Sequence, residues 1–122
     1  MKKVAFICVH NSCRSQIAEG LCKSLRPDLV CYSAGTETKP QINQDAVRIM
    51  ESNYNIDISS YKSKLLNDIP VCDIYVSMGC NVGCPFVERK YDYNFEIEDP
   101  TGKSDKEFIK VIEKIKEKIM KL

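Results

Sequence analysis

The apolar and polar positions along this chain change period several times. Val4 to Cys8 (VAFIC) is an unbroken apolar run of β-forming residues, the pattern of a strand buried on both faces. From Arg14 the period becomes helical: Ile17, Ala18, Leu21, Cys22 and Leu25 recur on one face until Pro27 forbids continuation. Val30 to Ser33 (VCYS) predicts a second short strand, closed by Ala34 and Gly35. After Pro40, Asn43 caps a predicted helix that carries Ala46, Val47, Ile49 and Met50 on its apolar side. Ile74 to Met78, entered from Val71 and Cys72, is a third apolar strand, and Tyr91 to Phe95 (YDYNF) a fourth with a weaker pattern. Ser104 and Glu107 form a capping box for the last helix, where Phe108, Ile112, Ile115, Ile119 and Leu122 make one apolar stripe opposite the lysines and glutamates.

Strands alternating with helices predict right-handed βαβ crossovers and an α/β fold with a parallel sheet covered on both sides. In such sheets ligands bind outside the carboxyl ends of the strands. Cys8 falls at the end of the first strand, and GCNVGCP, residues 79 to 85, falls just after the third. Two cysteine-bearing loops should therefore open onto one rim. No repeat, low-complexity stretch or linker interrupts the pattern, and 122 residues predict one domain spanning 1–122.

Charge narrows the possible partners. Lys and Arg number 18 against 17 Asp and Glu, a formal charge of +1, which argues against a nucleic-acid footprint and favours small or locally bound partners. Val4 to Cys8 is too short for a secretory core, and no apolar run approaches the ~20 residues of a membrane span, so the expected location is cytoplasmic. In that compartment seven cysteines point to catalysis, redox work or metal rather than a disulfide framework.

The loop after the first strand concentrates the chemistry. Cys8, Val9, His10, Asn11, Ser12, Cys13, Arg14 and Ser15 spell C-x5-R-S between a strand and a helix. A loop of that length can curl so that its backbone N–H groups converge on one centre, with the helix amino terminus behind them. That centre is an anion site. Arg14 adds a planar fork suited to two oxygens of a tetrahedral oxyanion, and the same positive field favours the thiolate form of Cys8.

The string CVHNSCRSQIAEG resembles the phosphate-binding loop of the low-molecular-weight protein tyrosine phosphatase superfamily, and its Ser-Gln-x-Ala-Glu-Gly ending is closest to the arsenate reductases of that superfamily. YSAGTE, residues 32 to 37, and EDPTGK, residues 98 to 103, extend the likeness over nearly the whole chain. The resemblance implies a flavodoxin-like three-layer αβα sandwich with a four-stranded parallel sheet, Cys8 as nucleophile and Asp99 as general acid. Pro100 stiffens the turn at Asp99 and keeps it out of helix. Phosphatases of the superfamily usually follow this Asp-Pro with aromatic residues. Thr101, Gly102 and Lys103 stand there instead, leaving a more open site suited to an inorganic oxyanion.

For the reductases the resemblance implies a thiol relay. Cys8 attacks arsenate, Cys80 attacks Cys8 and expels arsenite, and Cys84 then carries the oxidation outward as a Cys80–Cys84 disulfide, which thioredoxin or another thiol reductant resets. The two relay cysteines are only three residues apart here, fewer than in many thioredoxin-linked members. Half of a zinc site is an alternative for this pair, but structural zinc wants four ligands and neither His10 nor Cys72 supplies a second matched pair; two inert buried thiols are another. Cys22, Cys31 and Cys72 read as small core residues, while Cys13 is placed to pair with Cys8 under oxidation. His10 reads as a loop residue rather than a base.

Some of these reductases hold potassium with an asparagine, a glutamate, a serine and an aspartate. The matching positions are Asn11, Glu19, Ser33 and Lys64, and a lysine ammonium in the cation's place predicts activity independent of potassium. No metal ion and no organic cofactor is called for. The expected ligands are arsenate, with phosphate or sulfate as mimics, and the expected activity is arsenate reduction. Two alternatives remain: a small phosphatase working through a Cys8 thiophosphate, and a thiol-based sensor or metal binder without turnover.

Overall fold

The computed structural model describes residues 1–79 and 91–122. The first strand, β1 (Lys2–Ile7), leads through the cysteine loop to α1 (Arg14–Leu25), and β2 (Leu29–Ala34) follows. Next come α2 (Gln44–Tyr54), a 3-10 turn (Leu66–Asp68), β3 (Ile74–Ser77), β4 (Tyr93–Asn94) and α3 (Asp105–Met120). The sheet order is β2-β1-β3-β4, with every neighbouring pair parallel. Val4 stands opposite Cys31 on one side and Ile74 on the other, so β1 is a central strand. Its continuous apolar run reflects that position: Val4, Ala5, Phe6 and Ile7 are all fully buried.

Alternate side chains of β1 feed two cores. Val4 and Phe6 pack with Ile17 and Leu21 of α1, Ile49 and Met50 of α2, and Phe108, Ile112 and Ile115 of α3. Ala5 and Ile7 face the other way, against Ala34, Cys72 and Tyr75, with Leu66, Ile69 and Tyr91 around them. Among the described residues, the three helices therefore share one face of the sheet, and the other face is covered by the 3-10 turn and its flanking chain.

The predicted helix signals operate as capping devices. Asn43 Oδ1 accepts the Ala46 N–H at 3.0 Å, and Ser104 Oγ accepts the Glu107 N–H at 3.4 Å. β4 shrinks to two exposed residues at the sheet edge, which explains its weak pattern. Cys22 and Cys31 are buried as expected, but they are not simple core thiols: a disulfide ties α1 to β2, with Cα atoms 6.2 Å apart. Among the described residues no helix is long and apolar enough to cross a membrane.

One glycine permits the close approach that shapes the site. A Cβ on Gly35 would stand 2.4 Å from Val9 O and 2.6 Å from Cys8 O, so only glycine lets the end of β2 pass behind the cysteine loop. Thr36 and Glu37 then both donate N–H bonds to Val9 O at 3.0 Å, and Gly35 N–H bonds to Lys64 O at 2.9 Å. The chain around Lys64 is thereby drawn in beside β2.

Candidate active site

α1 begins at Arg14 without a side-chain cap and without an acidic residue in its first turn. Its leading N–H groups and the positive end of its dipole are left to the loop before it. Cys8 sits at the start of that loop, 6% exposed, and its N–H is tied to Ala34 O at 3.2 Å. Sγ of Cys8 lies 2.8 Å from Ser15 Oγ. Asn11 bends the loop, taking a left-handed φ of 50°, a conformation asparagine tolerates better than most residues. It is fully buried, donates from Nδ2 to Ser15 Oγ at 2.8 Å, and accepts at Oδ1 from Lys64 N–H at 2.8 Å and Gln16 Nε2 at 2.9 Å. Gln16, also fully buried, donates further to Asn11 O at 3.0 Å and Lys62 O at 2.9 Å. The loop is thus held from inside the protein rather than from its open side.

Arg14 is placed at the helix start, as its sequence position requires, and its Nη1 donates to Gly79 O at 2.7 Å and Ile97 O at 2.8 Å. This nitrogen anchors the segments that follow β3 and precede Asp99; among the described residues, the Nε–Nη2 edge is the one left for a bidentate oxyanion. Arg14 and Asp99 line one cleft of 670 Å³ together with Gly79, Glu96, Ile97, Glu98 and Lys103. Burial pushes the Asp99 carboxyl up, but hydrogen bonds from the Thr101 hydroxyl and N–H, with the charges of Arg14 and Lys39, outweigh it and hold the group below its ordinary value of 3.8. Cys13 behaves in the opposite way. Burial, with the charges of Asp99 and Cys8, pushes its thiol from 9.0 up to about 12, so it stays protonated at neutral pH.

The four positions matched to a cation site do come together. Lys64 Nζ reaches Glu19 Oε1 at 3.3 Å, Ser33 Oγ at 3.4 Å and Lys62 O at 3.2 Å, while Ser33 Oγ donates to Glu19 Oε1 at 2.6 Å. Asn11 joins them through the Lys64 main chain. Sequence reasoning missed Lys23, whose Nζ holds the other Glu19 oxygen at 2.7 Å; its spacing of four residues along α1 was the available signal. Glu19 is a buried carboxylate with a lysine on each oxygen. Ser12 offers its carbonyl to Asn43 N–H at 2.7 Å. His10 lies on the exposed side, its Nε2 2.8 Å from Glu37 Oε2, consistent with a loop residue. Cys80 and Cys84 lie outside the described residues.

Arranged this way, the loop that starts at Cys8 ends at Arg14, which shares its cleft with the Asp99 carboxyl group. Comparison with known proteins agrees. Residues 3–79 match the family model described as low molecular weight phosphotyrosine protein phosphatase. Arsenate reductase 1 of Staphylococcus epidermidis is 40% identical over 94% of this chain and 90% of its own length. The glutaredoxin arsenate reductase of a Synechocystis species is 33% identical over the whole chain and 96% of its own length. A solved arsenate reductase in the phosphate-binding state superposes with a TM-score of 0.87 at 35% identity, covering 99% of this chain and 95% of that one. With the loop, the parallel sheet and relatives of this similarity in agreement, the chain belongs to the low-molecular-weight phosphotyrosine protein phosphatase family.

Proposed function

We propose that this chain is an arsenate reductase in which Cys8 is the nucleophile, Arg14 and the loop N–H groups of residues 9 to 15 bind the oxyanion, and Asp99 is the general acid. The observation that carries this reading is Cys8 itself: a buried sulfur beside the uncapped start of α1, with Ser15 Oγ at 2.8 Å. Phosphate binding by a close structural relative supports an oxyanion of arsenate's shape in the loop.

The chemistry runs as a displacement followed by two thiol exchanges. The Cys8 thiolate forms an S–As bond as one arsenate oxygen leaves as water, protonated by Asp99. Asp99 is ionised at neutral pH in the free protein, since Thr101, Arg14 and Lys39 favour its charged form. A doubly charged oxyanion beside it raises its proton affinity and supplies the reason to take up a proton on binding. Cys80 then attacks Cys8 sulfur. The S–As electron pair stays on arsenic, reducing it to arsenite, and a Cys8–Cys80 disulfide forms. Cys84 attacks Cys80, freeing Cys8, and an external thiol reductant returns Cys80–Cys84 to dithiols. The single domain of residues 1–122 and a cytoplasmic setting, where such reductants are kept reduced, belong to the same proposal.

Phosphomonoester hydrolysis is the second reading, favoured by the family model itself. The deciding experiment measures arsenite formed from arsenate with a thioredoxin or glutaredoxin reducing system, beside hydrolysis of an aryl phosphate. Multiple turnovers of arsenite, lost in Cys8→Ser and also in Cys80→Ser because the attack of Cys80 is the step that releases arsenite, support the relay. Rapid aryl phosphate hydrolysis that ignores Cys80→Ser, with no arsenite, overturns it in favour of the phosphatase.

A further inference from the structure

Two pieces of the site meet at one exposed hydroxyl. Thr101 Oγ1 lies 2.7 Å from Asp99 Oδ1, and Thr101 N–H bonds to the same oxygen at 3.1 Å. Asn43 Nδ2, from the cap of α2, reaches Thr101 Oγ1 at 3.5 Å, and Asn43 is itself fastened to the cysteine loop through Ser12 O. The turn that presents Thr101 is closed by Lys103 N–H to Pro100 O at 2.9 Å, with Gly102 at φ 79° in the position where a type II turn requires a left-handed residue.

Counting protons fixes the direction of these bonds. A hydroxyl has one proton to give and two lone pairs to receive. Asn43 Nδ2 can only donate, and an ionised carboxylate can only accept. The Thr101 proton therefore goes to Asp99, and Asn43 supplies the bond that the hydroxyl receives. Asp99 Oδ1 then carries two hydrogen bonds from one residue.

We propose that Thr101 is the positioning residue of the acid: it locks Oδ1 of Asp99 to the cap of α2, which is itself fastened to the cysteine loop, so that Oδ2 is the oxygen that carries and delivers the proton. The proposal rests on reading Asp99 as the general acid. It deepens that reading by giving a task to the position where the phosphatase branch carries an aromatic residue. In the reaction, the Oδ2–H bond breaks as the proton passes to the departing arsenate oxygen, and Thr101 keeps its own proton throughout.

Thr101→Val keeps the shape and removes the hydroxyl at an exposed site, and Thr101→Ser keeps the hydroxyl. For arsenate reduction, Thr101→Val is expected to lower kcat by about tenfold or more with KM changed by less than about twofold, and Thr101→Ser to recover the rate. Because the hydroxyl bond favours ionised Asp99, its loss moves the carboxyl titration upward. An NMR titration of the Asp99 carboxyl carbon reads that directly, whether or not arsenite is formed. An upward move in Thr101→Val that Thr101→Ser reverses supports the proposal. An unchanged titration, or serine behaving as valine, overturns it. Asp99→Asn separates the two ideas: full activity in that variant sinks the acid and its latch together. Loss of activity in Asp99→Asn with Thr101→Val at the unmodified rate sinks the latch alone.

Discussion

Ser15 Oγ stands 2.8 Å from Cys8 Sγ and accepts a hydrogen bond from Asn11 Nδ2, also at 2.8 Å. With one lone pair occupied by Asn11, the serine hydroxyl has its proton available for the sulfur. When Cys8 reacts as a thiolate the serine is its donor, and a hydrogen bond to a charged acceptor contributes about 1.5–3 kcal/mol.

Replacing Ser15 by alanine removes that donor and leaves the buried Asn11 amide short of an acceptor. Alkylation of Cys8 by iodoacetamide at neutral pH should slow by about tenfold, the equivalent of ~1.4 kcal/mol. Mass spectrometry of the Cys8 peptide measures it. Alkylation at the unmodified rate would show that the helix start alone activates the thiol.

Lys64 Nζ lies on Glu19 and Ser33, two of the positions matched to a cation site, and with its ammonium there activity should be the same in potassium and sodium salts at matched ionic strength. Rate assays in the two salts test this, and a strong potassium stimulation would contradict it. The buried Glu19 carboxylate depends on both lysines. Lys64→Ala removes one of them, and urea denaturation should show a loss of about 1–2 kcal/mol, short of the full cost of a stranded charge because Lys23 remains.

The Cys22–Cys31 disulfide closes a sequence separation of 9 residues, for which chain entropy gives about 2–3 kcal/mol. Calorimetry before and after reduction should show the reduced protein melting roughly 5–10 °C lower. Alkylation in concentrated urea without reductant should spare both cysteines. If both react there, the bond is absent.

Cys13 supplies a pH dependence with a defined sign. Its thiol is raised in the folded protein from 9.0 to about 12, so between those values the folded state holds a proton that the unfolded chain has released. The associated stability is fully present below pH 9 and declines as pH rises towards 12. Urea midpoints measured across this range should fall, and Cys13→Ala should flatten the fall. An equal slope in that variant would assign the alkaline loss to other groups.

Much of the site was legible because it is local. Cys8, Arg14 and Ser15 lie within one loop and the first turn of one helix, and Asn43 and Ser104 sit at the caps that their types and positions announce. The alternation of β1 between two cores was equally readable as an unbroken apolar run. Lys23 on Glu19 was available from helical spacing, but it takes a buried Glu19 to make that pair matter. Nothing local marks Gly35 as the residue behind Val9 and Cys8, since the approach joins two strands that are distant in sequence.

What the sequence by itself determined is the C-x5-R-S loop between β1 and α1, the parallel α/β order and the candidate nucleophile, because each follows from neighbouring residues and their periodicity. The tertiary structure decided which distant side chains complete the site. Lys64 beside Glu19 and Ser33, Arg14 on Gly79 O and Ile97 O, Cys22 bonded to Cys31, and Thr101 between Asp99 and Asn43 all depend on crossovers that bring separate segments within hydrogen-bond or bonding distance. Such contacts are set by packing across the sheet, where separation along the chain carries no information about distance in space.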